Sequence, residues 1–148
     1  MQTGMKVRLI LAGIGIFCGI LAGTCFWIMY GNVSATTLAY FSSVCAAFAF
    51  YTHWAYHKQW MLQWSSGKIK ASIIINTILC VLALCGMIAS LVIAGVKGQT
   101  IDHEGLQGEN LWITAVWFWM TFKWTMMSAI YTRKYARNTD GYTVEQDF

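Results

Sequence analysis

The sequence predicts an all-α polytopic membrane protein, a bundle of four transmembrane helices with both termini in the cytosol. Three observations carry this prediction. Hydrophobic residues make up 57% of the 148, aromatics 16% and Asp, Glu, Lys and Arg only 11%, less than half the usual charged share of about 25%. Such a chain lacks the polar surface to cover a globule in water. Four apolar stretches, 9–30, 36–56, 71–96 and 111–131, each reach the length of about 20 residues that a helix needs to cross a bilayer core. Finally, the cations are distributed unevenly between the loops.

The first stretch follows Lys6 and Arg8 and contains no charge. Its 22 residues exceed the apolar core of a secretory signal, about 7–15 residues, so a retained helix is expected. Gly15, Gly19 and Gly23 repeat every four residues along it, a stripe that lets helix backbones approach closely. The second stretch carries one unusual group, His53. The third is uncharged and has its own small-residue stripe, Gly86, Ser90 and Ala94. The fourth contains Lys123 and six large aromatics: Trp112, Trp117, Phe118, Trp119, Phe122 and Trp124. Residues 132–148 read as a short tail of the same single domain. Proline is absent, which removes the commonest cause of a sharp kink.

Lys6, Arg8, Lys58, Lys68, Lys70, Arg133, Lys134 and Arg137 all fall on one side of a four-crossing bundle, and Lys97 alone on the other. The positive-inside rule makes the first side cytosolic. Asn32-Val33-Ser34 is a glycosylation sequon on the opposite side, expected to lie too near the membrane for use. The net charge of +4 is too dispersed for a nucleic-acid face. No phosphate-binding loop appears. The five cysteines form no C-x-x-C pair and are expected to pack as small apolar groups.

Several residues are candidates for chemistry. Lys123 lies mid-span with no carboxylate in any span to pair with it. An intramembrane lysine costs about 2.5–3.5 kcal/mol at a helix centre, and Trp119 one turn earlier offers a cation–π partner. Snorkelling is the alternative to an anionic ligand. His53, Tyr56, His57 and Trp60 share one helical face at spacings of three and four. Trp54, Trp60 and Trp64 with Lys58 suggest an interfacial aromatic belt. Taken alone, His53 reads first as a helix–helix hydrogen bond and second as a metal ligand. His103, beside Asp102 and Glu104, sits in the second exoplasmic loop. Tyr131, Arg133, Lys134 and Tyr135 interleave rings with cations, suited to lipid headgroups or to bound carboxylates.

In order and spacing these fragments resemble the heme-responsive-gene family of small four-span heme transporters, over essentially the whole chain. The resemblance rests on Thr52-His53 with Trp60, on Val116-Trp117 followed by Phe122-Lys123-Trp124, on the aromatic-basic stretch, and on Asp147-Phe148. It implies import of heme, as transported substrate, from an exoplasmic or endolysosomal side into the cytosol. Family members are described with a histidine or tyrosine in the second span, a histidine in the second exoplasmic loop, and a Phe-Ala-Arg-Lys-Tyr motif. These carry over to His53 with Tyr56 as neighbour, to His103, and to Tyr131-Thr132-Arg133-Lys134-Tyr135, which departs from the motif at its first two positions. No acidic dileucine signal is present, so the plasma membrane is the first expectation and an endolysosomal membrane the second.

Heme is flat and apolar, its iron accepts imidazole, and its propionates seek cations. The expected path runs from capture at His103, along the fourth-span aromatics with Trp119 and Lys123, to His53 or Tyr56 with His57 nearby. The basic stretch then receives the propionates. Lipids and further copies of the chain are the other expected partners, since four helices are few to enclose a porphyrin. The rival readings are a b-type electron-transfer protein, which needs paired histidines on one heme, and a tetraspan accessory protein that merely packs.

Overall fold

The structure, a computed structural model, describes residues 2–102 and 108–146, with side chains through residue 139. It is all helical. Helix α1 spans Thr3–Cys25 and runs on as a π-helical turn, Phe26–Tyr30; α2 spans Val33–His57. A short 3₁₀ turn, Trp60–Gln63, leads into α3, Ser66–Val96, and α4 covers Leu111–Gln146. The helices overrun the expected spans, most of all α4. Its 36 residues make a rod ~54 Å long at ~1.5 Å per residue. The stretch from residue 132, expected as a tail, is its last turns.

Packing orders the helices α1, α2, α4, α3; among the described residues the backbone of α3 packs on α4 alone, and its Lys68 reaches the Tyr51 ring of α2 at 5.9 Å. Contacts at both ends show that α2 and α4 run parallel. Near their first residues Asn32 Nδ2 donates to the Asn110 carbonyl at 3.3 Å, and near their last turns His53 meets Tyr135. Helices in lipid gain nothing by hiding oil from oil, so close backbone approach must hold them together. A Cβ on Gly15 would overlap the Trp124 indole of α4, and one on Gly19 would overlap the Ser43 hydroxyl of α2. Gly86 likewise receives the Phe118 ring between α3 and α4. Both small-residue stripes therefore lie at helix interfaces.

The loop end is knotted by polar groups. The Glu109 carboxylate accepts the Val33 and Ser34 amides at 2.8 and 3.2 Å, capping the positive end of α2. Asn32 Oδ1 caps the same turn by accepting from the Ala35 amide at 3.0 Å. Asn32, the acceptor residue of the sequon, is buried. Gln99 accepts from the Leu111 amide at 2.8 Å, and its carbonyl accepts the Trp112 indole N–H at 2.7 Å.

Among the described residues, α1 with its π-helical continuation, α2 and α3 are long and apolar enough to cross a membrane. Helix α4 is less apolar because of Lys123, four tryptophans and several hydroxyls. Thr114, Thr121 and Thr125 are buried and return their hydroxyls to carbonyls four residues back, at 3.1, 2.9 and 2.8 Å. Exposed Thr77 of α3 does the same with the Ile73 carbonyl at 2.7 Å, so it is the bond to their own backbone that lets such hydroxyls sit in apolar surroundings. All five cysteines are free. Only Cys45 is buried; Cys18 and Cys85 are exposed, correcting the expectation that all would pack inside. A thiol is apolar enough for a lipid-facing surface.

The glycine contacts give a paired test. In Gly19→Ala the new methyl meets the Ala39 carbonyl at 2.8 Å, and overpacking of this kind typically costs about 1–3 kcal/mol. Gly13→Ala meets nothing within 4 Å. Thermal melting of the detergent-solubilised chain should fall clearly for the first and hold or rise for the second.

Candidate functional site

Polar chemistry gathers where α1, α2 and α4 converge, at the end opposite the loop knot. His53 is 2% exposed and Tyr135 equally so. Tyr135 Oη lies 2.7 Å from His53 Nδ1. The rings of Tyr131 and Tyr135 meet the imidazole edge-on, at centroid distances of 4.9 and 5.7 Å. Tyr56 stacks flat on Tyr135 at 3.9 Å. An imidazole enclosed in apolar surroundings needs a partner for its polar nitrogens, and α4 supplies one because Tyr131 and Tyr135, four residues apart, share the face turned towards α2.

The cation of this cluster comes from α1. Arg8 Cζ lies 4.6 Å from the centre of the Tyr131 ring, within cation–π range. Its Nη1 donates a long hydrogen bond, 3.5 Å, to Tyr135 Oη. That oxygen can accept a second hydrogen bond, so the proton in the His53–Tyr135 contact follows the imidazole tautomer; where Nδ1 is the unprotonated nitrogen, the tyrosine donates to it. In the neutral imidazole the hydrogen then resides on Nε2. Sequence reading took Arg8 only for a topology marker. Its partner stands 127 positions away, and no local spacing connects them.

Beside the cluster lies a cavity of about 280 Å³, lined by Met5, Tyr56, His57, Gln59 and Met61 among others. It falls just under the range of about 300–1,000 Å³ usual for ligand pockets. Tyr56 forms its wall on one side and stacks against Tyr135 on the other.

The structure thus brings together His53, Tyr56, His57, Tyr131 and Tyr135. It separates others. Gln59, with a left-handed φ of 61°, redirects the chain after α2, so Trp60 leaves the face of His53 and is exposed. Arg133 and Lys134 are exposed, Arg133 on the side of the helix opposite Tyr131 and Tyr135 and Lys134 on its flank. Lys123 is half-buried with its Nζ 4.7 Å from the centre of the Trp124 ring, not over Trp119. Trp119 stacks instead on Phe122 at 5.4 Å. The two rings lie on different sides of α4: Trp124 turns inward against α1 and α2, while Trp119 is exposed on the outward stripe with Val116 and Ile130. His103 lies outside the described residues. Among the described residues no group of three His, Cys, Asp or Glu could hold a bare metal ion. Lys58 over Trp54 at 5.2 Å and Lys68 over Trp64 at 4.2 Å place cations beside aromatic rings at this end of the bundle, the arrangement of an interfacial belt.

A family model described as a haem transporter, endosomal/lysosomal, haem-responsive gene, matches residues 69–124. Among named proteins, the chain is 39% identical over 131 residues to heme transporter hrg-1 of Caenorhabditis elegans, covering 88% of this chain and 68% of that one. It is 29% identical over 147 residues to heme transporter hrg-4 of the same organism, covering 88% and 80% of the two chains. Heme transporter hrg-6 is 28% identical over 133 residues, covering 90% and 83%. No solved structure gives a significant match.

The buried hydrogen bond can be tested directly. Tyr135→Phe keeps the ring stack but leaves His53 Nδ1 without its partner, at a cost of about 1–3 kcal/mol. Tyr131→Phe removes a hydroxyl with no hydrogen bond among the described residues and should stay within about 0.5 kcal/mol. Melting temperatures of the two variants in detergent should separate accordingly.

Proposed function

The chain belongs to the haem-responsive-gene family, and from that membership we propose that it moves heme from the exoplasmic side of a membrane into the cytosol. It is an integral membrane transporter rather than an enzyme, and heme is its cargo. In the topology we propose, all four helices cross, α4 among them, and both termini are cytosolic. Support comes from Lys6, Arg8, Lys58, Lys68, Arg133 and Lys134, which cluster at the end where α1 and α3 begin and α2 ends. The same direction serves a plasma membrane or an endolysosomal one, whose lumen is topologically exoplasmic. The family description names the latter, while the lack of an acidic dileucine favours the former.

The observation that carries the reading is His53 itself, an imidazole enclosed by tyrosines beside a cavity at the cytosolic end. Imidazole and tyrosinate are both known iron ligands in heme sites. His53 is the proposed axial ligand, with Tyr56 and His57 at the cavity wall as the next stations. His103 captures heme outside, and the porphyrin passes along the fourth-span aromatics by way of Trp119 on the outward stripe of α4, with Lys123 as the cation beside that path. Tyr131 and Tyr135 enclose the ligand, and Arg133 and Lys134 receive propionates on the cytosolic surface. That exposed stripe, together with the largely uncovered apolar surface of α3, favours a homo-oligomer in which a neighbouring copy closes the path.

Uptake in a heme-requiring host tests the relay. Even outer-shell changes around a metal cost about 10–100-fold in affinity. The His53→Ala, His103→Ala double variant should therefore need roughly tenfold or more heme for half-maximal growth. Growth on the wild-type concentration would sink the relay.

A further inference from the structure

We propose that Arg8 is a propionate-operated latch, a positioning residue that holds Tyr131 and Tyr135 shut over His53 and releases them when a carboxylate claims its guanidinium. The proposal rests on heme ligation by His53 as stated above and adds how that ligand becomes accessible.

As the structure stands, iron cannot reach His53. The imidazole is 2% exposed, and its Nδ1 is engaged by Tyr135 Oη at 2.7 Å. In the tautomer that accepts from Tyr135 the ring hydrogen is on Nε2, so neither nitrogen offers a free lone pair. Tyr135 is held from two sides, by the flat stack of Tyr56 at 3.9 Å and by Arg8, which also covers Tyr131 at 4.6 Å. Among the described residues Arg8 faces rings and a hydroxyl and makes no ion pair. A guanidinium in that state holds its partners by neutral contacts only, and a carboxylate offers it a planar, charge-assisted, bidentate bond about twice as strong as a neutral one.

Heme brings two such carboxylates on one edge. Arg8, His53, Tyr131 and Tyr135 do not line the cavity beside Tyr56, but its lining includes Tyr56 itself and Met5, one turn before Arg8, so a porphyrin edge entering there meets the cluster from the Tyr56 side. A propionate that draws Arg8 away removes both the cover on Tyr131 and the donor to Tyr135 Oη. Tyr135 keeps its own proton and turns aside, and the Nδ1 lone pair is freed for iron. No proton leaves the site and no bond other than hydrogen bonds is broken. The latch therefore opens to a porphyrin that carries free carboxylates and stays shut to one that does not.

The test mixes the purified full chain in detergent with hemin or with hemin dimethyl ester, whose propionates are capped, and follows the rate of the Soret shift. Wild type should ligate hemin about tenfold faster than the ester, the size of effect that one charged hydrogen bond supplies. Arg8→Gln should ligate both at one fast rate, and Arg8→Lys should keep part of the preference. His53→Ala, run alongside, should lose the shift with both ligands. If Arg8→Gln retains the tenfold preference, or wild type shows none, the latch is overturned while ligation by His53 stands. If His53→Ala keeps the wild-type shift, ligation by His53 falls and the latch falls with it.

Discussion

A neutral imidazole enclosed in an apolar bundle must be hydrogen-bonded, and the 2.7 Å contact between His53 Nδ1 and Tyr135 Oη answers that demand across two helices. Much of the architecture follows from it. Helix α4 must run past the length needed to cross a bilayer core so that Tyr135 reaches the level of His53. It must also run parallel to α2, which requires the α3–α4 hairpin to stand beside the α1–α2 hairpin in the order α1, α2, α4, α3. The glycine stripe on α1 then brings that helix close enough for Arg8 to close the cluster from its third side.

The central position of α4 explains its composition. Flanked by α2 and α3 and touched by side chains of α1, it is shielded over much of its surface and can carry hydroxyls that turn back to their own backbone. Helix α3 has the opposite character: among the described residues its backbone packs on α4 alone, with Lys68 reaching the Tyr51 ring of α2, and it is the most apolar of the three candidate spans. Ser42, Ser128 and Thr132 hydroxyls and the Trp124 indole N–H remain buried without a protein partner. All four lie on α2 and α4.

Periodicity and charge made the helical class legible, and with it the interfaces, because Gly15, Gly19, Gly23 and Gly86 sit at spacings that only a helix–helix contact explains. His53 stood out as a polar group in an apolar run. The resemblance drew attention to Tyr131 and Tyr135, and their i, i+4 spacing already contained the shared face. Other features depend on tertiary structure. Arg8 looked like one of eight cytosolic cations, and nothing local ties it to α4. Trp60 continues the His53 stripe by spacing alone, and Gln59 bends the chain away from it, a backbone event its side-chain type does not signal. The turns after residue 131 read as a tail because their charges mask a helix that is half buried.

Helical geometry divides the 131–135 stretch in a way its linear spelling conceals. Tyr131 and Tyr135 look into the bundle while Arg133 and Lys134 are exposed, so a single turn of chain faces two media with different dielectric response. Substitutions within this short word thus act on separate equilibria: those at Tyr131 and Tyr135 alter the internal lid of the imidazole, those at Arg133 and Lys134 alter the surface charge met by headgroups or departing cargo, and Thr132 between them is itself buried. A variant that replaces the five residues together mixes both effects and reports on neither.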